Sequence, residues 1–142
     1  MEKLPPYVGW ALLSAIFAAL TAVLGKKGVE EVPSNLAVAI RVVVVLVFAA
    51  AIAWATKQTG FAQVSRRAYV FLALSGIATG ASWLCYYRAL QLGPVAKIAP
   101  IDKLSFVLAV VLAAIFLHER PSLNVIAGCV LIVIGVLLTL RP

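Results

Sequence analysis

Residues 76–105 read GIATGASWLCYYRALQLGPVAKIAPIDKLS, and the class of fold follows from this stretch. Two apolar segments meet at Gly93-Pro94, a helix-ending glycine followed by a proline suited to the first turn of a new helix. Around that turn stand Arg88, Lys97, Asp102 and Lys103, without which the run would be plain membrane-spanning hydrocarbon. A helix starting near Val95 carries Asp102 roughly 10 Å along its axis, too deep for an interfacial charge. Ionisable groups at such depth are costly, and they face a bundle interior or a wet cavity. Pro100 removes a backbone donor just before Asp102 and loosens the helix there. A weakened helix beside buried charge is a candidate functional site.

The composition agrees with a chain made for lipid. Of 142 residues, 64% are hydrophobic and only 12% charged, too little polar surface for a soluble domain of this size. The fold class expected is all-α integral membrane. The formal net charge is +7, but the cations are scattered singly or in pairs. Nucleic acid binding calls for a basic face with interleaved aromatic platforms, so no nucleic-acid partner is expected. Cys85 and Cys129 lie in apolar segments without metal-ligand spacing and read as packed thiols. His118 is the single histidine, so neither a catalytic triad nor a metal cluster can be assembled, and no cofactor is expected. The chain does not read as an enzyme.

Five segments reach the length of about 18 residues that spans a bilayer as helix. They cover about 7–24, 35–56, 68–90, 95–117 and 123–140, and together make residues 1–142 a single five-helix domain. The first could be taken for a cleaved leader, with Lys3 before it and Ala18-Ala19 inside it. Its apolar run is too long for a signal core, and Glu2 and two prolines precede it, so a retained helix is expected. The second can be capped by Ser34 or Asn35 and carries Arg41 roughly 9 Å inside. The third contains Gly76-x-x-x-Gly80, two side-chain-free positions on one face that permit close helix approach. The last has Gly128 and Gly135 one heptad apart, a second packing face.

An odd number of spans puts the termini on opposite sides. Lys3, Lys57, Arg66, Arg67 and Arg120 fall on one side; Lys26, Lys27 and Arg141 fall on the other, with the deeper Arg41, Arg88, Lys97 and Lys103. The counts are five against three, or five against seven with the deep cations, so the positive-inside rule fixes no orientation. The same bookkeeping gathers Arg41, Arg88, Lys97, Asp102 and Lys103 into one asymmetric vestibule, with Glu30 and Glu31 at its mouth. Asp102 has two readings, a salt bridge to Arg41, Arg88 or Lys103 that clamps helices, or a ligand for substrate or coupling ion. One carboxylate cannot satisfy all these cations, and the surplus at Arg41 and Arg88 suits an anionic or zwitterionic group. Lys97 is expected to snorkel to the interface, and Trp83, Tyr86 and Tyr87 to belong to the interfacial aromatic belt.

The residues themselves resemble a known family. SNLAVAIR (34–41), GASWLCYYRALQLGPVAKIAPIDKLS (80–105), FLHER (116–120) and GCVLIVIGVLL (128–138) together resemble a single EamA-type domain of the drug/metabolite transporter superfamily. More narrowly, it resembles the short bacterial and archaeal members made of one five-helix unit. That family usually has glycine where this chain has His118. In larger members two such units are fused in inverted orientation. The resemblance implies secondary transport of small metabolites, a class that includes amino acids, nucleotide-linked sugars and drugs. It leads to a multi-pass protein of the cytoplasmic (inner) membrane working by alternating access, with Arg41, Arg88, Asp102 and Lys103 at the substrate. An antiparallel homodimer is expected to supply the second, inverted unit, in contact with membrane lipid. The competing readings are a non-transporting accessory subunit of another transporter and, behind it, a passive channel.

Overall fold

In the computed structural model, which describes residues 5–141, the chain runs through α1 (Pro6–Val29), α2 (Ser34–Ala55) and α3 (Arg66–Leu92). It continues through α4 (Val95–Asp102), α5 (Leu104–Phe116) and α6 (Leu123–Thr139), with one short 3-10 turn at Phe61–Gln63. Every regular element among the described residues is helical. The features assigned to Glu2 and Lys3 lie outside the described residues. Four segments are long and apolar enough to cross a membrane, α4 and α5 counting as one over Val95–Phe116. Helix α6 has 17 residues, roughly 25 Å of axis, and sits at the short end of the spanning range.

The chain divides at Leu92-Gly93 into a unit of α1, α2 and α3 and a unit of α4, α5 and α6. In the first unit α3 packs against both α1 and α2. Its buried residues fall at helical spacing: Ala22, Gly25 and Val29 on α1, Ser34 and Val38 on α2, Tyr87 and Leu90 on α3. All of them lie where α1 ends, α2 begins and α3 ends. Packing is therefore tight at one membrane side. Along the rest of their length the helices expose large apolar side chains such as Leu46, Phe48 and Trp54. Such exposure suits a hydrocarbon solvent, where an apolar face has no need to be hidden.

Helix α1 continues one turn beyond the expected stop at Gly25 and takes in Lys26 and Lys27. Two lysines in a last turn favour continuation, because their charge opposes the negative end of the helix dipole. Helix α2 stops at Lys57, whose φ of 56° is the left-handed conformation of a C-terminal cap. Gln58 N–H donates to the Ala53 carbonyl at 2.8 Å and Lys57 N–H to the Trp54 carbonyl at 3.0 Å, the paired bonds of a Schellman turn. His118, with φ 57°, holds the same conformation after α5.

In the second unit α6 packs against α4 and α5 and buries Cys129 and Val136, one heptad apart. Ser122 caps it, its hydroxyl accepting from Val125 N–H at 3.4 Å. The segment expected as one helix over 95–117 is interrupted at Lys103. Pro100 has no N–H for the Ala96 carbonyl, and the chain tightens behind it, with Lys103 N–H donating to the Pro100 carbonyl at 3.0 Å.

Candidate functional site

The polar side chains of the first unit gather where its three helices meet. Lys26 Nζ donates to the Leu90 carbonyl at 2.8 Å and so satisfies a free carbonyl in the last turn of α3. Gln91 holds the α1–α2 connection from the same end. Its amide nitrogen donates to the carbonyls of Val29 at 3.4 Å and Val32 at 3.1 Å, and its oxygen accepts from Arg88 Nη1 at 3.0 Å. Glu30 lies 4.0 Å from Lys26 and 3.8 Å from Lys27. Beside these contacts is an open, polar mouth of about 770 Å³, lined by Glu30, Glu31, Ser34, Asn35, Arg88 and Gln91 among others.

Beside the mouth is a second cleft of about 450 Å³, with Arg41 and Tyr87 among its lining residues. The Arg41 guanidinium carbon sits 4.2 Å from the centre of the Trp83 ring and 5.5 Å from that of Tyr87. Its Nη1 donates to the Tyr87 hydroxyl at 3.4 Å. The rings orient the guanidinium through their negative faces and leave most of its donors unspent. Among the described residues no carboxylate lies within 4 Å of Arg41. Tyr87 is only 5% exposed, so it serves as a wall of this cleft, where the sequence had suggested an interfacial belt.

The four residues expected at the substrate therefore have three settings. Arg41 lines the aromatic-backed cleft, and Arg88 lines the polar mouth through its bond to Gln91. Asp102 and Lys103 pair with each other at 3.4 Å across the break between α4 and α5, both partly exposed. Of the three partners considered for Asp102, its sequence neighbour is the one the structure shows bonded to it. The glycines expected at packing faces, Gly76, Gly80, Gly128 and Gly135, have open space where a Cβ would stand. The close approach is at Gly25, where a Cβ would come within 3.1 Å of the Tyr87 hydroxyl.

Lys26, Gln91 and Gly25 were not singled out from the sequence as site residues. The i,i+4 spacing of Lys26 and Glu30 was readable as a helix-surface pair. Nothing local announced that Lys26 reaches Leu90, or that Gln91 reaches Val29 and Val32, some 60 positions away. Among the described residues no three His, Cys, Asp or Glu side chains gather as a metal site.

Apolar helices of spanning length, a polar mouth at one end and an unneutralised arginine behind it define a multi-pass membrane protein built to handle solutes. The chain belongs to the EamA-like transporter family, whose model matches residues 5–141. It is 51% identical over 130 residues to a Sinorhizobium sp. protein described as "Uncharacterized transporter in cobO 3'region", a match covering 91% of this chain and 92% of that one. It is 30% identical over 82 residues to the "Probable 4-amino-4-deoxy-L-arabinose-phosphoundecaprenol flippase subunit ArnE" of Enterobacter sp. (strain 638), covering 58% of this chain and 77% of the relative. No solved structure matches the chain. The family is one of membrane transporters, not of enzymes.

Proposed function

We propose that the protein is a secondary transporter subunit that moves a small metabolite bearing an anionic or zwitterionic group. The observation that carries this reading is Arg41, held over Trp83 and Tyr87 in a cleft where no carboxylate among the described residues pairs with it. A planar guanidinium with free donors is suited to bind a carboxylate or phosphate through two parallel hydrogen bonds. Arg88 offers a second cation at the polar mouth. Asp102 and Lys103 supply a pair of opposite sign at a helix break, as a zwitterion requires. Transport proceeds by alternating access in an antiparallel homodimer of the cytoplasmic membrane, each chain supplying one of two inverted units.

The test is uptake by purified protein in liposomes against a panel of metabolites. Arg41→Gln is expected to lower uptake of the accepted substrate about tenfold or more, the weight of a charge-assisted hydrogen bond. Glu119→Gln, at the end of the fourth span, should leave it near the wild-type rate. Uptake that survives Arg41→Gln unchanged removes Arg41 from the substrate path. One observation favours a second reading, an accessory subunit that does not transport alone, since the Enterobacter relative is described as a flippase subunit. Uptake by the purified chain would rule that out.

A further inference from the structure

The two clefts of the first unit differ in what they offer a visitor. Charged and amide side chains wall the mouth. The Arg41 cleft is walled by Thr21, Leu24, Ala37 and Ile40, and its polarity is concentrated at Arg41 and Tyr87. Leu24 is 68% exposed and Ile40 55%, and both belong to membrane-spanning helices. A rim of that kind is suited to hydrocarbon. Behind it α1 and α2 lean on α3, whose Tyr87 and Trp83 back the arginine.

Depth points the same way. Arg41 stands two turns into α2, roughly 10 Å from its first residue. The headgroup layer on each side of a bilayer is roughly 5–8 Å thick, so with the start of α2 at the water's edge Arg41 lies a few ångströms beneath that layer. A lipid-borne anionic head reaches it by sinking a few ångströms. Either kind of anion sheds its hydration in this cleft, and a lipid-borne one is held at that depth by its own chain. The cleft volume of about 450 Å³ is within the ordinary range for small-ligand sites.

We infer that the Arg41 cleft is a lateral portal for an amphiphile, its phosphate or carboxylate head on Arg41 and its apolar chain lying along α1 and α2 in the bilayer. The inference rests on the reading that Arg41 contacts substrate, and it narrows that substrate to a lipid-borne anion. The chain lies in hydrocarbon before and after binding, so its part is to hold the head at the depth of Arg41, and the affinity comes from the head.

Trp83 is a built-in reporter, because its ring lies 4.2 Å from the Arg41 guanidinium. With Trp10 and Trp54 replaced by Phe, the protein in neutral maltoside micelles is titrated with dodecyl phosphate, inorganic phosphate and an uncharged dodecyl ether. Dodecyl phosphate should change the Trp83 fluorescence saturably, and Arg41→Gln should weaken that binding about tenfold or more. Arg67→Gln, far along α3 with its guanidinium over Phe71, should bind like the parent. Should Arg41→Gln fail to fold, Arg41→Lys keeps the charge but not the planar fork, and it should bind more weakly than wild type. Inorganic phosphate binding as tightly as dodecyl phosphate overturns the portal and leaves the transport reading intact. Equal binding of the uncharged ether overturns it too, as does binding indifferent to both Arg41 variants. Failure of the transport reading shows separately, as liposome uptake that ignores Arg41→Gln.

Discussion

At Gly25 the distance between two helices depends on one absent methyl group. A Cβ there would stand 3.1 Å from the Tyr87 hydroxyl and 3.3 Å from its ring carbon, so the buried Tyr87 would have to shift to admit it. Because that hydroxyl also accepts from Arg41, displacing the ring displaces the cation. Gly25→Val is expected to lower stability by about 1–3 kcal/mol, the usual cost of overpacking a filled site. Gly9→Val, where a Cβ meets nothing within 4 Å, should have little effect on packing. Thermal unfolding in detergent measures both, and a Gly25→Val protein as stable as Gly9→Val would show that the contact is soft. The sequence pointed to Gly76 and Gly80, because four-residue spacing is visible within one helix. What makes a glycine necessary is the side chain opposite, and Tyr87 is 62 positions from Gly25. Arg41 was legible for the opposite reason. Charge in an apolar run stands out without any knowledge of its neighbours.

Among the elements, the interrupted fourth span is where sequence and structure correspond most directly. A proline's missing N–H is a local defect, and the break follows it at Lys103. The helix ends around Gly93-Pro94 were also legible to within a few residues, since that pair acts on its own backbone. Which helix leans on which was not legible, because apolar faces meant for lipid and faces meant for another helix have the same composition. Restoring the donor tests what the break is for. Pro100→Ala should extend α4 toward α5 and raise stability by up to about 3 kcal/mol, the intrinsic penalty of proline inside a helix. If the break is the hinge of alternating access, liposome uptake should fall about tenfold while the melting temperature rises. A stabilised variant that transports at the wild-type rate would reduce the break to a tolerated irregularity.

At the scale of the whole molecule, the polar groups at the α1–α2 turn and the end of α3 share one membrane side, while long apolar stretches run to the other. On the proposed reading a path through the membrane needs a second vestibule, which an inverted copy would supply. Inversion matters to this reading, since a parallel pair would repeat the same vestibule on the same face. The near-balanced cations make it feasible, because neither orientation is strongly favoured during insertion. Gly128 and Gly135, with open space above them, are the positions at which a second copy could approach closely. Topology mapping decides the matter. Cys85 and Cys129 are first changed to Ser, and a single cysteine is placed at Gly28 or at Gln58, at opposite ends of α2's span. Gln58 is preferred to its neighbour Lys57, whose charge belongs to the balance under test. An impermeant thiol reagent applied to intact cells should label each variant in part, the two fractions summing to about the whole. Two further lysines beside Gln58 should drive the population to one orientation and abolish uptake, with function returning when a copy biased the other way is co-expressed. If one cysteine labels fully and the other never does, every chain faces the same way and the inverted pair is excluded.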